Sequence, residues 1–243
     1  MLLFLQLGVF SCRVMDIHKI NPNIAKAIFL AKKQLPEFVY DAVNLEGIHY
    51  TLPEVQTLLD GVTVGGHQHS DEKVTLNQVA AWKFLFASLQ SGSFVLSKVY
   101  VCTLHAIAAD SEALAWGQFR SGGVTIAGTQ YLPPAAASLD DCWIKLLQAQ
   151  SAITDIYDRA IYFFLQMARS QFFYDVNNRM GRFMMNGILL QAGYPAINLP
   201  ASRKEEFNNL MLDFYDSNEV APMTEFMKSC LDQRIIAIMS EDH

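Results

Sequence analysis

The sequence predicts an all-α domain with one small β-hairpin. Most of the chain consists of segments in which apolar residues recur at helical spacing, and capping residues or glycines mark their ends. Only one segment has the β-branched residues between glycines that indicate a hairpin. With 243 residues, of which 51% are apolar, the chain can bury one well-packed core. Because neither a linker nor an internal repeat divides it, we predict a single domain.

The first residues are interpreted separately from this domain. The run Met1–Ser11 is strongly apolar, but no basic residues precede it and it is too short to cross a bilayer as a helix. We interpret residues 1–14 as an N-terminal extension, with an export signal as the alternative, and expect regular structure from about Met15. We predict that residues 15–70 form N-terminal helices and that residues 71–243 form the core with the C-terminal helices.

The helices are predicted from their periodicity and end signals. Pro36 lies in the first turn of the second helix, and Thr51 with Glu54 forms a capping box for the third. Glu46 closes the second helix, where a carboxylate faces the negative end of the helix dipole, so we expect a cationic partner elsewhere. The predicted helices span residues 24–35, 37–45, 51–60, 71–89, 96–109, 139–150, 153–169, 183–191, 202–217 and 223–239.

The hairpin is predicted where the helical pattern stops, between residues 117 and 131. Gly122–Gly128 has β-branched residues flanked by glycines, and Pro133 and Pro134 end it. A two-stranded ribbon is only marginally stable by itself. In a helical protein we therefore expect this hairpin to cover a site as a flap rather than to form the core of a sheet.

Charge and cysteine content exclude several classes of function. The formal net charge is −6 and no run of Lys and Arg occurs, which excludes nucleic acid as a general partner. The cysteines are far apart, without a CxxC pair, so we expect reduced structural thiols in a cytoplasmic protein rather than disulfides or a zinc site. The four cysteines are Cys12, Cys102, Cys142 and Cys230.

None of three histidines, His67, His69 and His105, is expected to be catalytic. His67 and His69 lie in a glycine-rich loop without an acidic or sulfur partner, so we expect them to be solvated, with a metal site as the alternative. His105 lies among apolar residues of a predicted helix, which is more typical of a hydrogen-bonded core histidine than of a catalyst.

One stretch, Ser170–Arg182, carries the predicted site. A short polar turn at a helix N-terminus offers free N–H groups and the positive end of the helix dipole to a phosphate. Arg179 and Arg182 are three residues apart and share one helix face, and Asp175 offers a carboxylate to a hard cation such as Mg²⁺. The alternative is an ordinary helix start with capping and solvated side chains.

This stretch resembles the signature of the Fic family, His-x-Phe-x-Asp/Glu-Gly-Asn-Gly/Lys-Arg-x-x-Arg. Residues 42–48 are similar to the inhibitory helix of this family, residues 116–134 to its flap, and residues 193–215 to the segment after its core. The resemblance covers about residues 20–230 and implies an all-α fold of about eight helices with a β-hairpin flap. The signature positions that match are Phe173, Asp175, Asn177, Arg179 and Arg182.

The resemblance also implies an activity. Most members of the family transfer AMP from Mg-ATP to a Ser, Thr or Tyr hydroxyl of a target protein, which implies ATP and Mg²⁺ as cofactors. Glu46 would pair with Arg182 and displace the γ-phosphate, which would give Glu46 its cationic partner. The implied ligand-binding residues are Asp175 for Mg²⁺ and Asn177, Asn178, Arg179 and Arg182 for the phosphates. The implied target-clamping residues are Val124, Thr125 and Ile126.

Six positions depart from the family pattern, and three of them bear most on function; the other three are Phe172, Asn178 and Ala127. Gln171 replaces the His that serves as general base, and a carboxamide cannot take a proton near neutral pH. Losing a general base typically costs about 10²–10⁴ in rate. Val176 replaces the first glycine of the loop, where a β-branched residue is strained if φ must be positive. Ala42 replaces a Ser or Thr of the inhibitory motif, so we expect that helix to be held less firmly.

Three functions are compatible with these residues. The first is a protein adenylyltransferase that is autoinhibited by Glu46 and impaired by Gln171. The second is a pseudoenzyme that binds a nucleotide or a protein as a regulatory module without transfer, and transfer of a different phosphate-containing group is a third reading. In each case we expect neither a membrane nor a nucleic acid as partner, and a homo-oligomer is left open.

Overall fold

The structure is a computed structural model that describes residues 17–241, and these contain eleven α-helices and three short 3-10 helices. The α-helices are α1 (Ile24–Lys33), α2 (Leu35–Leu45), α3 (Leu52–Leu59), α4 (His69–Gln90), α5 (Lys98–Ala108), α6 (Leu139–Ser151), α7 (Ile156–Ser170), α8 (Asn177–Gln191), α9 (Lys204–Ser217), α10 (Ala221–Ser229) and α11 (Gln233–Ser240). The 3-10 helices are Ile17–Lys19, Ala136–Ser138 and Ala201–Arg203.

The N-terminal extension predicted for residues 1–14 lies outside the described residues, as do Cys12 and Met15. The division into N-terminal helices and a core therefore stays a prediction. Among the residues that are described, no helix is long and apolar enough to cross a membrane.

Helices α7 and α8 form the centre of the fold. The side chains of Phe163, Phe164 and Leu165 on α7 are fully buried, as are those of Met184, Met185 and Leu189 on α8. This burial confirms the prediction that two strongly apolar helices flank the polar stretch. Because no residue of α7 and only Gln191 of α8 is exposed, packing holds both helices and keeps the turn between them in a fixed position.

Helix α2 is fastened to this centre at two points. The ring of Phe38 stacks on Trp82 of α4 at a centroid distance of 4.7 Å. The Asp41 carboxylate accepts hydrogen bonds from Asn198 Nδ2 at 2.5 Å and from the Ala201 N–H at 2.8 Å. The capping box predicted at Thr51 and Glu54 is present at the start of α3. The contacts of Phe38 and Asp41 position α2 so that its C-terminal end, with Glu46, lies beside the first turn of α8.

The predicted β-hairpin is wrong, since the described residues contain no strand. Residues 117–131 run as irregular chain with a turn at Ala127–Gly128. The guanidinium group of Arg120 binds one carbonyl of the predicted hairpin and two outside it, and Pro133 and Pro134 have no N–H to donate. The carbonyl groups that Arg120 binds belong to Gly122, Pro134 and Gln171.

Two helix boundaries also differ from the prediction. The single helix predicted for residues 223–239 is two helices, because the Asp232 side chain accepts from the Arg234 N–H at 2.8 Å and caps a new start. The helix predicted from Phe183 begins earlier, at Asn177, so both arginines of the polar stretch belong to α8.

Candidate functional site

The turn between α7 and α8 has a left-handed residue at each end. Gln171 ends α7 with φ 48° and ψ 59°, and Val176 precedes α8 with φ 65° and ψ 11°. Val176 is also buried. A β-branched residue in this conformation is strained, so the expected conflict at the position of the loop glycine is present.

The Gln171 side chain is used at both of its polar ends. Its Nε2 donates to the Ala168 carbonyl at 2.7 Å, and its Oε1 accepts from Asn177 Nδ2 at 3.0 Å. Its backbone carbonyl also accepts from Arg120 Nε at 2.6 Å. Gln171 therefore connects α7 to the turn, and its amide has no basic atom for proton transfer.

Asn177 closes the turn from the inside. Its Oδ1 accepts from the Phe173 N–H at 2.9 Å, and its Nδ2 donates to the Phe173 carbonyl at 2.9 Å as well as to Gln171. The residue is buried. The family resemblance implies a phosphate-binding role for this side chain. In the structure it stabilises the turn and so fixes the direction of the backbone N–H groups at the start of α8.

A cavity of about 310 Å³ lies in front of this turn. Asp175 is exposed at its wall, with Oδ1 accepting from the Val176 N–H at 2.6 Å. Within residues 17–241, no group of three or more His, Cys, Asp or Glu residues could hold a metal ion by itself. The lining residues are Glu46, Thr125, Ile126, Ala127, Gln171, Tyr174, Asp175, Val176, Asn177, Asn178, Arg179 and Tyr215.

Of the other residues predicted for the site, some line the cavity and some do not. Thr125 and Ile126 of the flap segment line the cavity, whereas Val124 is not among its lining residues. Asn178 lies in the first turn of α8, and its Oδ1 accepts from the Tyr215 hydroxyl at 3.2 Å. Burial raises the pKa of Tyr215 to about 12, so this hydroxyl stays protonated and donates a hydrogen bond to Asn178.

The two arginines of α8 face Glu46 across the end of α2. Glu46 Oε1 lies 3.5 Å from Arg179 Nε and 3.8 Å from Arg182 Nη2. The sequence predicts a pair with Arg182, and the structure brings Glu46 between both guanidinium groups, slightly nearer to Arg179. Burial lowers the pKa of Arg182, Glu46 opposes that shift and Arg179 adds to it. An arginine remains charged under such shifts, so the cluster keeps two cations.

The sequence analysis missed Glu112, which lies in the turn after α5. Glu112 Oε2 accepts from Arg179 Nη2 at 2.6 Å, and Oε1 accepts from Asn77 Nδ2 at 3.1 Å. Its side chain is 12% exposed, compared with 38% for Glu46. No local signal marks this residue, because its partners lie 35 and 67 positions away along the chain.

His105 ties the turn to the rest of the fold. Its Nδ1 accepts from the Gly117 N–H at 3.1 Å, so Nε2 carries the proton and lies 3.4 Å from the Asp175 carbonyl. The ring stacks on Phe173 at 3.8 Å, and burial lowers the pKa of His105 to about 4. The prediction of a hydrogen-bonded core histidine is confirmed.

His67, which was expected to be solvated, stacks on Tyr50 at 3.7 Å.

The chain is similar to known proteins over most of its length. Residues 95–189 match the model of the Fic/DOC family. Protein adenylyltransferase Fic of Drosophila mojavensis is 22% identical over 226 residues, which cover 90% of this chain and 43% of that protein. The chain thus spans less than half the length of this curated relative.

Two solved structures have the same fold. A Fic domain containing signaling protein from Bacteroides thetaiotaomicron has a TM-score of 0.72 at 20% identity, over 92% of this chain and 91% of that chain. Fic-1 from C. elegans has a TM-score of 0.72 at 18% identity, over 84% of this chain and 61% of that chain. The family match shows that this chain contains a Fic/DOC family region, residues 95–189, and the solved structures show that the chain has the fold of Fic proteins.

Proposed function

We propose that the protein binds Mg-ATP at the turn between α7 and α8 and acts as a Fic-type protein adenylyltransferase, autoinhibited by Glu46 and impaired at Gln171. The observation that carries this proposal is the position of Glu46, whose Oε1 is 3.5 Å and 3.8 Å from the two arginines of α8. A carboxylate in that position occupies the cationic groups that a terminal phosphate would need.

The residues present fit a nucleotide with its metal ion. The first residues of α8, Asn177, Asn178 and Arg179, line the cavity, and the N–H groups at the start of a helix have no partner within it, as a phosphate site requires. Mg²⁺ is usually held by one or two carboxylates together with phosphate oxygens and water, and the exposed Asp175 suits that arrangement. The metal ion would neutralise phosphate charge, while Arg182 would bind the γ-phosphate after Glu46 has moved away.

Gln171 limits what this site can do to a target hydroxyl. Its amide can orient a hydroxyl by hydrogen bonding, but it cannot remove the proton, so transfer would lose about 10²–10⁴ in rate. A target protein with a Ser, Thr or Tyr hydroxyl remains the proposed partner, in keeping with the name of the relatives as protein adenylyltransferases. We place this activity in the cytoplasm.

A second candidate function is binding without transfer. It is favoured by the hydrogen bonds of Gln171, since Ala168 and Asn177 engage both ends of the amide. In this case the protein would be a regulatory module that responds to a nucleotide, and Glu46 would control binding rather than catalysis.

These functions are tested with wild type, Glu46→Gly, Gln171→His and the double variant. We expect calorimetry to detect Mg-ATP binding by Glu46→Gly and weaker binding by wild type. With ATP labelled at the α-phosphate, we expect weak labelling of protein by Glu46→Gly and stronger labelling by the double variant. Glu46→Gly/Asp175→Ala is the control for dependence on Mg²⁺.

The possible results separate the two functions. Labelling by Glu46→Gly would reject binding without transfer, and labelling by the double variant alone would favour it. Absence of Mg-ATP binding by Glu46→Gly would reject both functions.

A further inference from the structure

We propose that Glu112 is a second carboxylate that restrains phosphate binding at this site, by neutralising Arg179 independently of Glu46. This inference rests on the proposed function and adds a determinant of how strongly the site attracts phosphate. It assigns a role to a residue outside the signature stretch and outside α2.

The contact between Glu112 and Arg179 is the closer of the two carboxylate contacts. Glu112 Oε2 lies 2.6 Å from Arg179 Nη2, whereas Glu46 Oε1 lies 3.5 Å from Arg179 Nε. The Arg179 and Glu112 side chains are 7% and 12% exposed, so water screens their attraction only weakly. Arg179 is therefore held mainly by Glu112.

Glu112 is supported by elements that do not include α2. Its Oε1 accepts from Asn77 Nδ2 of α4, and the same amide donates to the Asp110 carbonyl at 2.8 Å. Asn77 is buried, and Asp110 in turn pairs with Lys73 of α4 at 2.6 Å. Because this support comes from α4 and the turn after α5, Glu112 stays in place when the end of α2 moves.

Within the cluster of two arginines and two glutamates, the charges balance only when both carboxylates are present. Arg179 and Arg182 bring two positive charges, and Glu46 and Glu112 bring two negative charges. Moving Glu46 away frees Arg182 but leaves Arg179 neutralised. The site then offers one uncompensated cation to a polyphosphate rather than two.

The arginines also have unused donors. Within residues 17–241, Arg179 Nη1 is buried without a hydrogen-bond partner, and Arg179 Nε and Arg182 Nη2 face Glu46 at 3.5 Å and 3.8 Å without forming a hydrogen bond to it. Buried guanidinium N–H groups without a partner are costly, and an anionic ligand would satisfy them. Weakening the hold of Glu112 should therefore increase the affinity for phosphate groups.

The test compares Glu46→Gly with Glu46→Gly/Glu112→Gln, using calorimetry with Mg-ATP and with inorganic tripolyphosphate. Glutamine removes the charge and keeps one acceptor oxygen, so it can retain one of the two hydrogen bonds from Asn77 and Arg179. We expect the double variant to bind tripolyphosphate about tenfold more tightly at low salt, and the gain to shrink as salt is added. Glu46→Gly/Glu225→Gln makes the same change of charge at an exposed residue of α10, and it should bind like Glu46→Gly.

A second substitution guards against misfolding of the glutamine variant. Glu112→Asp keeps the charge but withdraws it by one methylene group, so we expect a smaller gain in the same direction. Circular dichroism and thermal unfolding show whether each variant is folded.

The outcomes separate this inference from the proposed function. Unchanged or weaker tripolyphosphate binding by folded Glu112 variants would overturn the role of Glu112. If Glu46→Gly binds no Mg-ATP, the proposed function fails. A gain in tripolyphosphate affinity in the double variant would then still support the neutralisation of Arg179.

Discussion

At the scale of single residues, the turn is shaped by two positions that depart from the Fic signature. Gln171 takes over a structural role, since its amide connects Ala168 to Asn177. Val176 keeps the left-handed backbone that a glycine would adopt without cost, at φ 65°. A non-glycine residue in this region costs roughly 1–2 kcal/mol. The packing of α7 and α8 on both sides maintains that strain.

The strain at Val176 predicts an unusual order of stability. Val176→Gly and Val176→Ala both lose the methyl groups, but only glycine relieves the left-handed backbone. We expect the glycine variant to have the higher free energy of unfolding, by about 1 kcal/mol, when both are measured by urea denaturation. The control is Val64, which is partly buried in a loop and has no positive φ, and there alanine should be the more stable substitution. The same order at both positions would contradict strain at Val176.

At the scale of elements, the close approach of α7 and α8 depends on Gly181. A Cβ atom at this position would lie 2.6 Å from Cδ2 of Phe164 and 2.9 Å from the Phe164 carbonyl oxygen. The second contact is with backbone, so a rotation of the Phe164 side chain cannot relieve it. Gly181 therefore sets the distance between the two helices that present the turn.

This contact predicts that Gly181→Ala destabilises the protein, even though alanine favours a helix by about 1 kcal/mol over glycine. Overpacking of a core typically costs about 1–3 kcal/mol, and here it includes a backbone contact. We expect a net fall in the free energy of unfolding of about 1–2 kcal/mol in denaturation experiments. Gly65→Ala is the matched control, because a Cβ there would meet nothing within 4 Å. A gain in stability for Gly181→Ala would contradict the close packing.

At the scale of the whole molecule, His105 joins three separate parts of the chain. It lies on α5, accepts from the Gly117 N–H at the start of the flap segment, and lies 3.4 Å from the Asp175 carbonyl in the turn. The ring is fully buried in its neutral form. Protonation would place a charge in the core and turn Nδ1 into a donor, so the hydrogen bond from the Gly117 N–H would be lost.

The stability of the protein should therefore depend on pH through His105. The pKa of His105 is about 4 in the folded protein and 6.5 in the unfolded chain, so the unfolded chain binds the extra proton between these values. The contribution is fully present above pH 6.5 and is lost as the pH falls towards 4. From pH 7 to pH 5 we expect wild type to lose about 2 kcal/mol more than His105→Gln in denaturant unfolding. Parallel losses in both proteins would show that other groups cause the dependence.

The local features of this protein are set by sequence within a few residues. The periodicity gave the position of almost every helix, the capping box at Thr51 and Glu54 formed as predicted, and the signature placed the polar turn between two buried helices. These features depend on neighbouring side chains and backbone groups, so they can be predicted from the local sequence.

The features that packing determines were missed, incomplete or wrong. The hairpin was predicted from β-branched residues, but residues 117–131 run as irregular chain, and Arg120 holds this segment to the Gln171 carbonyl of the turn. Glu46 was paired with Arg182 alone, whereas it lies between both arginines. Glu112 reaches Arg179 from 67 positions away. Ion pairs and hydrogen bonds of this kind depend on which distant elements meet, and only the three-dimensional packing of the helices brings them together.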